Sequence, residues 1–569
     1  MKNLEIAAIL YGIADILELQ GVDFKPQAYR KAARSIEALS EDIAETYEQG
    51  KLHEIPGVGE SIAQKIEEII STGKLQYYEQ LKKKVKVNIE ELHQIPTLGP
   101  KKIKILSQKL GIKNIHDLEK AVKAHKLVNM SGFGEESEKN ILHGIEIFKN
   151  KPTRFLYFQA WPIVQDITTR LRSCPFIQKV EVAGSFRRGK ETVGDVDFVV
   201  ISDEPEKVME KCVSLPDVRE IIARGEKKTS LRLSNAMQVD LRVFSAKEFG
   251  SAMNYFIGNK EHNVELRKIA LKKGFTLSEY GLFTLKGKKW VAGRTEAEIY
   301  VKLGMEYIEP ELRENRGEIK AALGHTLPDL VQLKDIKGVF HNHSLWSDGS
   351  SSLLGMAQKA EDVGFKFISF NDHFGNVGIT HPLNEKRLLK YLQEIEKVRK
   401  KVNVCVFSGV EIDILKDGSL PLSVKKLREL DVVIASVHLG LKMSEAEMTT
   451  RVCSALENYP ITILGHPTDR LLNVREPLSL NLEKVFSVAQ RRNTFLEINS
   501  SPFRLDLSGE QIKSALEQGC KVALSTDAHS PPELSHYNYG VMMARRGWAE
   551  KKDILNCWDL KKIEKALQK

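Results

Sequence analysis

The sequence predicts a multidomain chain, α-helical at its N-terminus, α+β in the middle, and closing in a distorted β/α barrel. Three observations predict it. An apolar-x-Gly-x-Gly pattern between amphipathic runs occurs three times within the first 150 residues, at intervals of roughly forty. Two apolar runs, 180–183 and 198–201, flank a Gly-Ser turn and an Asp-x-Asp pair. Beyond residue 337, seven β-branched runs alternate with helical patterns.

The bulk properties fit that division. The 569 residues suffice for several cores, and 42% hydrophobic with 28% charged residues is ordinary for a soluble globular protein. A net charge of +9 favours a polyanionic partner. The six cysteines form no C-x-x-C pair, which excludes a disulfide framework or zinc ribbon and points to a reducing, cytoplasmic setting. The first twenty residues carry Glu5, Asp15 and Glu18 and read as a packed helix rather than a signal peptide or membrane span.

In chain order, residues 1–80 and 81–150 read as two helical domains. Their recurring turns are Ile55-Pro56-Gly57-Val58-Gly59, Ile95-Pro96-Thr97-Leu98-Gly99 and Met130-Ser131-Gly132-Phe133-Gly134. Glycines at such turns let backbone approach a phosphate, and the following helix offers its first N–H groups to the anion. Gly57, Gly59, Gly99, Gly132 and Gly134 are therefore the candidate DNA contacts, of a kind that reads no sequence. Lys82, Lys83, Lys84, Lys86, Lys101 and Lys102 stand beside them.

Residues 151–245 alternate strands and helices and carry three acids. Asp195 and Asp197 share one strand face, and Asp240 sits on the second arm of a later hairpin. Adjacent carboxylates repel unless a cation lies between them, and three around two divalent ions suit in-line nucleotidyl transfer. Gly184, Ser185 and Arg188 supply N–H groups, a hydroxyl and a cation able to cradle a triphosphate. Residues 246–315 are mixed, and 316–335, with Gly317, Gly324 and Pro328 among charges, read as a linker.

In 336–569 the histidines carry the argument. Eight of the chain's fifteen lie beyond residue 337. His341, His343, Asp348, His373, Glu411, His438, His466, Asp527 and His529 fall at or just after the C-terminal ends of six of the seven runs, the rim where barrels place chemistry. So many imidazoles and carboxylates imply two or three metals, with manganese, zinc or iron the suitable ions. Arg470, after His466-Pro467, is a candidate phosphate clamp.

These motifs resemble known families. Gly184-Ser185-x-x-Arg188-Gly189 followed by Gly194-Asp195-x-Asp197 is similar to the nucleotidyltransferase signature of family X DNA polymerases. The stretch Asn254-Tyr255-Phe256-Ile257-Gly258, with Asn263 and Arg267, resembles their nucleotide pocket. That resemblance implies a palm over 151–245, a thumb over 246–315, magnesium or manganese at Asp195, Asp197 and Asp240, and helix-hairpin-helix domains before them. It implies Gly184, Ser185, Arg188, Gly194 and Gly258 around the nucleotide, Tyr255 and Phe256 on the sugar, and Asn263 and Arg267 near the nascent base pair. Val193 and Lys260 depart from the family pattern.

Lys65 stands where lyase-bearing relatives form a Schiff base with an abasic sugar. Lys25 and Tyr29 match that pocket, while Ser61 and Tyr77 replace its lysines. Residues 336–569 resemble the polymerase and histidinol phosphatase (PHP) domain. By that resemblance Glu411 bridges two ions, one on His341, His343 and Asp527 and one on His438 and His466, with Asp348, His373 and His529 holding a third.

The combined expectation is a monomeric, cytoplasmic gap-filling repair polymerase acting on gapped, nicked or primer-template DNA with dNTPs. Its second domain is expected to act as a 3′–5′ exonuclease, 3′-phosphatase or AP endonuclease. Two alternatives stay open. A nucleotidyltransferase acting on RNA or small molecules shares the Gly-Ser and Asp-x-Asp core, and a DNA-binding scaffold with inert sites would keep the hairpins.

Overall fold

A computed structural model describes residues 2–20, 22, 24–37, 43–48, 50–72, 75–84, 87–88, 92, 95, 98–128, 130, 133–150, 154–375 and 380–568. The chain divides into two units, 1–152 and 153–569.

The first unit is helical. Lys2–Gln20 packs along Lys25–Glu37, burying Leu10, Ile13 and Ala14 with Ala32, Ala33 and Ile36. Gly57 is left-handed at φ +88°, and a Cβ there would stand 2.8 Å from Lys31 Cγ, so that glycine serves the close packing of its turn. Gly59 and Gly99 immediately precede the helices Glu60–Thr72 and Pro100–Leu110, and a Cβ on Gly59, Gly99 or Gly134 would meet nothing within 4 Å. At these three glycines the backbone is open. Gly132, Lys86 and the centre of the second turn lie outside the described residues.

The second unit begins with a five-stranded sheet in the order β2-β4-β7-β6-β5, where β2 is Lys179–Val182, β4 Asp195–Ile201, β5 Val218–Arg224, β6 Lys228–Leu233 and β7 Gln238–Phe244. Only β4 and β7 run parallel. A short pair, β1 (Phe155–Leu156) and β3 (Thr192–Val193), ties the loop before β4 to the start of the unit. Strands β8 (Phe275–Ser278), β9 (Gly281–Thr284) and β10 (Trp290–Ala292) form a separate antiparallel sheet.

Residues 316–335 are not a loose connection. They carry the helix Glu318–Leu323, and Glu318 is fully buried against His262, with a 2.7 Å contact. Gly and Pro punctuation marked the breaks in this stretch but said nothing of the acid's buried partner.

The remainder is a parallel sheet of nine pieces in the order β13-β15-β16-β17-β18-β19-β11-β12-β14. They are β11 Gly338–Asn342, β12 Phe367–Phe370, β13 His373–Phe374, β14 Cys405–Phe407, β15 Gly409–Asp413, β16 Val432–Ser436, β17 Ile463–Leu464, β18 Phe495–Asn499 and β19 Val522–Ala528. Only Asn371 and Asp372 separate β12 from β13, and only Ser408 separates β14 from β15. The first halves of these two broken strands pair with each other, and so do the second halves. The sheet therefore curls back on itself as seven strands, two of them interrupted, matching the seven apolar runs. One buried cluster takes a residue from each of them, Phe340, Phe367, Phe407, Ile434, Ile463, Phe495 and Ala523, and is closed by Leu555, Ile563 and Leu567. A larger cluster lies between the strands and the surrounding helices.

Candidate active sites

In the five-stranded sheet, Asp197 stands directly opposite Asp240 across the parallel β4–β7 pair, and Asp195 stands opposite Gln238. Alternation puts Asp195 on the same face as Asp197. Burial, reinforced by the charges of Asp195 and Asp240, pushes Asp197 up to about 7. Asp240 Oδ1 and Ser185 Oγ are buried without hydrogen-bond partners. Gly184 is left-handed at φ +63°, and a Cβ there would come within 2.4 Å of Asp197 Oδ2, so only glycine lets the turn pass the carboxylates. Crowded carboxylates with unpartnered oxygens fit divalent cations, and Asp195, Asp197 and Asp240 are the residues placed to hold them.

The surrounding residues are held differently from one another. Arg188 is buried and does not project freely. Its Nε donates to Glu314 Oε1 at 2.7 Å and its Nη1 to the Ile257 carbonyl at 2.5 Å. Tyr255 and Phe256 meet edge to face at 5.0 Å, and Arg242 lies 4.7 Å over the Phe256 ring. Asn263 Nδ2 donates to the carbonyls of Tyr255 at 2.7 Å and Gly258 at 3.2 Å, fixing the turn between two helices. Arg267 is solvent-exposed and donates to the Asn263 carbonyl. A Cβ on Gly194 would stand 3.3 Å from Arg154 Nη1.

The second site crowns the barrel. Glu411 is its centre, buried, with imidazole nitrogens of His373, His466, His438 and His341 at 2.9, 3.0, 3.2 and 3.3 Å from its oxygens. His343 Nε2 is 3.4 Å from Asp527 Oδ1, and Asp348 lies 3.4 Å from His529 and 3.5 Å from His373. Three groupings bring ligand atoms within 4.8 Å of one another: His343, Asp348, His373 and His529; His341, His343 and Asp527; and His373, Glu411 and His438. The expected sets of His341, His343 and Asp527 and of Asp348, His373 and His529 come together, joined through His343. In the third, His373 rather than His466 groups with Glu411 and His438, while His466 meets Glu411 at 3.0 Å. Buried nitrogens of His341, His343, His373, His438 and His466 have no hydrogen-bond partner, which fits divalent ions.

Charges follow from this crowding. Burial opposes ionising Glu411, yet His341, His438 and His373 hold it well below the usual carboxylate range. Burial likewise opposes charging His373, but Glu411 and Asp348 lift it to about 10. Three rim residues have left-handed backbone, His341 at φ +59°, His466 at +22° and Asp527 at +51°. Non-glycine residues held there are strained, and surrounding packing must impose the geometry.

Sequence reasoning missed the layer behind these ligands. Glu497 on β18 is fully buried, lies 2.5 Å from His341 Nδ1, and accepts the backbone N–H of His466. It comes from the one apolar run assigned no ligand, and a lone carboxylate in Phe495-Leu496-Glu497-Ile498-Asn499 was the available signal. Asp413 accepts from His438 N at 2.8 Å, and Asp372 accepts from Ser344 and Ser347. Arg470 is not free to clamp a phosphate here. Its guanidinium donates to the Arg504 and Leu505 carbonyls and reaches Glu191 at 3.4 Å.

In the first unit, Lys65 Nζ donates to Ser61 O and Ser61 Oγ, both at 2.9 Å, and lies 5.2 Å from the Tyr77 ring centroid. Partial burial, aided by the charge of Lys25, lowers its pKa.

A carboxylate-bearing palm sheet and a histidine-rimmed barrel in one unit define a nucleotidyltransferase joined to a phosphoesterase. Family matches agree in order along the chain. They are helix-hairpin-helix over 1–75 and, as a tandem, over 89–146; DNA polymerase beta palm over 163–245; DNA polymerase beta thumb over 252–314; and PHP domain over 340–501. The chain is 35% identical to the DNA polymerase/3′-5′ exonuclease PolX of Bacillus subtilis, covering all of both proteins. It is 24% identical to rat DNA polymerase lambda over 55% of this chain and 56% of that protein. A probable phosphatase of Thermoanaerobacter sp. strain X514 is 27% identical over 40% of this chain and 93% of its own length. This chain belongs to the family X DNA polymerases that carry a C-terminal PHP domain.

Proposed function

We propose that the protein fills short gaps in damaged DNA and trims 3′ ends with its second site. The observation that carries this reading is the register placing Asp197 opposite Asp240, with Asp195 beside them, next to the Gly184–Ser185 turn. When bound there, magnesium or manganese would lower the cost of ionising the primer 3′-hydroxyl and neutralise the departing pyrophosphate. The chain's own residues do the rest. Asp240 Oδ1 accepts the hydroxyl proton, Ser185 and the turn's N–H groups receive the phosphates, and Tyr255 and Phe256 press on the sugar.

At the barrel rim, His341, His343, Asp348, His373, Glu411, His438, His466, Asp527 and His529 would hold two or three ions, manganese, zinc or iron. Such ions generate a hydroxide nucleophile at neutral pH. Glu497 and Asp413 orient the imidazoles, as carboxylates behind metal-binding histidines commonly do. The substrate is DNA, cleaved at a 3′-terminal phosphodiester, a 3′-phosphate or the phosphodiester beside an abasic site. The Gly57, Gly59, Gly99, Gly132 and Gly134 turns would contact the DNA backbone without reading sequence. Among the described residues no helix is long and apolar enough to cross a membrane. We place the protein in the cytoplasm as a monomer.

The test is a 5′-labelled primer on one-nucleotide-gapped DNA in manganese, with and without dNTPs. Extension with nucleotides and 3′-shortening without them are expected. A wild-type protein that never extends the primer would sink the polymerase reading. A second reading, lyase chemistry at Lys65, is supported by its lowered pKa, because the neutral amine is the nucleophile. Borohydride trapping on abasic DNA is expected to label the wild type and spare Lys65→Ala.

A further inference from the structure

The loop that closes the nucleotide-binding turn, residues 187–194, is held from behind by the barrel. Arg546, buried on the helix Tyr537–Arg546, donates from Nη1 to the Arg188 carbonyl at 2.8 Å and lies 3.5 Å from Glu314. Gly189 is left-handed at φ +64°, and a Cβ there would stand 2.5 Å from Met542 Cγ on the same helix. Glu191 meets Arg470 at 3.4 Å. Thr192 accepts from Arg154 twice, at 2.9 and 2.7 Å, and the Arg154 carbonyl accepts from Asn473 at 2.9 Å. Arg546, Met542, Arg470 and Asn473 all belong to the barrel, while the thumb adds Glu314 and the Ile257 carbonyl, both on the Arg188 side chain.

The same node explains how Arg188 is occupied. Glu314 binds three cations, Arg188 at 2.7 Å, Lys190 at 3.3 Å and Arg546 at 3.5 Å. A triphosphate on the Gly184–Ser185 turn would offer Arg188 a second anion in competition with Glu314. A buried carboxylate left alone is costly, and Lys190 and Arg546 remain to hold it.

We infer that the barrel is a working part of the polymerase site, with Arg546 a positioning residue that fixes the 187–194 loop and retains Glu314 when Arg188 engages the nucleotide. This rests on the nucleotidyl-transfer reading above. Arg546 makes its polar contacts to the Arg188 carbonyl and Glu314 and to none of the nine rim residues, so its loss acts on nucleotide binding and spares 3′-shortening.

The experiment is steady-state single-nucleotide insertion by the full chain on gapped DNA, run beside 3′-shortening of a single-stranded oligonucleotide. The proteins compared are wild type, Arg546→Met and Arg546→Lys. The expected result is a KM for dNTP raised about tenfold in Arg546→Met with a smaller change in kcat. Partial recovery in Arg546→Lys and 3′-shortening within twofold of wild type are also expected. A nucleotide KM within twofold of wild type in both variants overturns the inference and leaves the polymerase reading standing. Equal loss of both activities in both variants also overturns it, by reducing Arg546 to a general packing residue. Absence of insertion by the wild type defeats the polymerase reading itself.

Discussion

The two active sites of the second unit are built in opposite ways. The palm site is local. Asp195 and Asp197 come from one strand, Asp240 from its parallel neighbour, and the phosphate turn lies ten residues before Asp195. Its Asp195 is exposed and Asp197 half-buried; Gln238 donates to Asp240, and the charges of Arg242 and Arg188 act on Asp197. The barrel rim gathers nine side chains between His341 and His529 and backs them with a further set of carboxylates. A polymerase site must admit DNA and a nucleotide, which the exposed Asp195 fits. A cluster of buried imidazoles and carboxylates holds together only when every charge has a partner.

The largest effects separate the two sites. Asp197→Asn is expected to lower nucleotide insertion by about 10³-fold or more and to leave 3′-shortening within twofold. His341→Ala is expected to do the reverse. A primer-extension gel without and with dNTPs reads both, and joint loss in either variant would show that the sites are not independent.

Glu314 meets Arg188 and Lys190 of the palm and Arg546 of the barrel, and so reports on the joint. Burial by itself would raise its pKa, but Arg546, Arg188 and Lys190 hold it at about 2. A carboxylate whose folded value lies below its ordinary 4.5 adds stability that is complete above about pH 4.5 and lost as pH falls toward 2. Glu314→Gln should therefore cost about 3 kcal/mol near neutrality and progressively less in acid. Denaturant unfolding at pH 7 and pH 3 measures it, and a pH-independent difference would contradict the ionic account.

Glu497→Gln tests whether the backing carboxylates matter as much as the ligands. It leaves all nine rim residues in place, and is expected to weaken metal retention roughly 10–100-fold. Metal content after graded chelation, by elemental analysis, is the readout. Wild-type retention would mean that Glu497 only fills space.

Gly184→Ala is expected to have the smallest effect. A Cβ at φ +63° and 2.4 Å from Asp197 Oδ2 strains the turn and shifts the acid. The expectation is a loss of about tenfold in insertion with melting temperature little changed. Unaltered insertion would show that the turn can move away from β4.

Legibility differed with the chemistry. The grouping of the three palm acids on paired strands, of the histidines at one barrel rim, and the seven strands were readable because strand alternation and strand-end placement act over a few residues, and candidate ligands announce themselves by type. Glu497 was hidden inside an apolar strand, since a buried carboxylate is meaningful only when its histidine, 156 positions away, is known. Arg188 and Arg470 were readable as cations, but which anion each one meets was not. Arg188 lies on Glu314, 126 residues on, and Arg470 on Glu191, 279 residues back.

The sequence by itself therefore determined the order of helical, palm, thumb and barrel regions and the residue types of the candidate ligands, which follow from local pattern. Only the tertiary structure decided which buried charges share a partner. That is set by the closure of the barrel and its packing against the 187–194 loop, where low-dielectric surroundings make each distant pairing count.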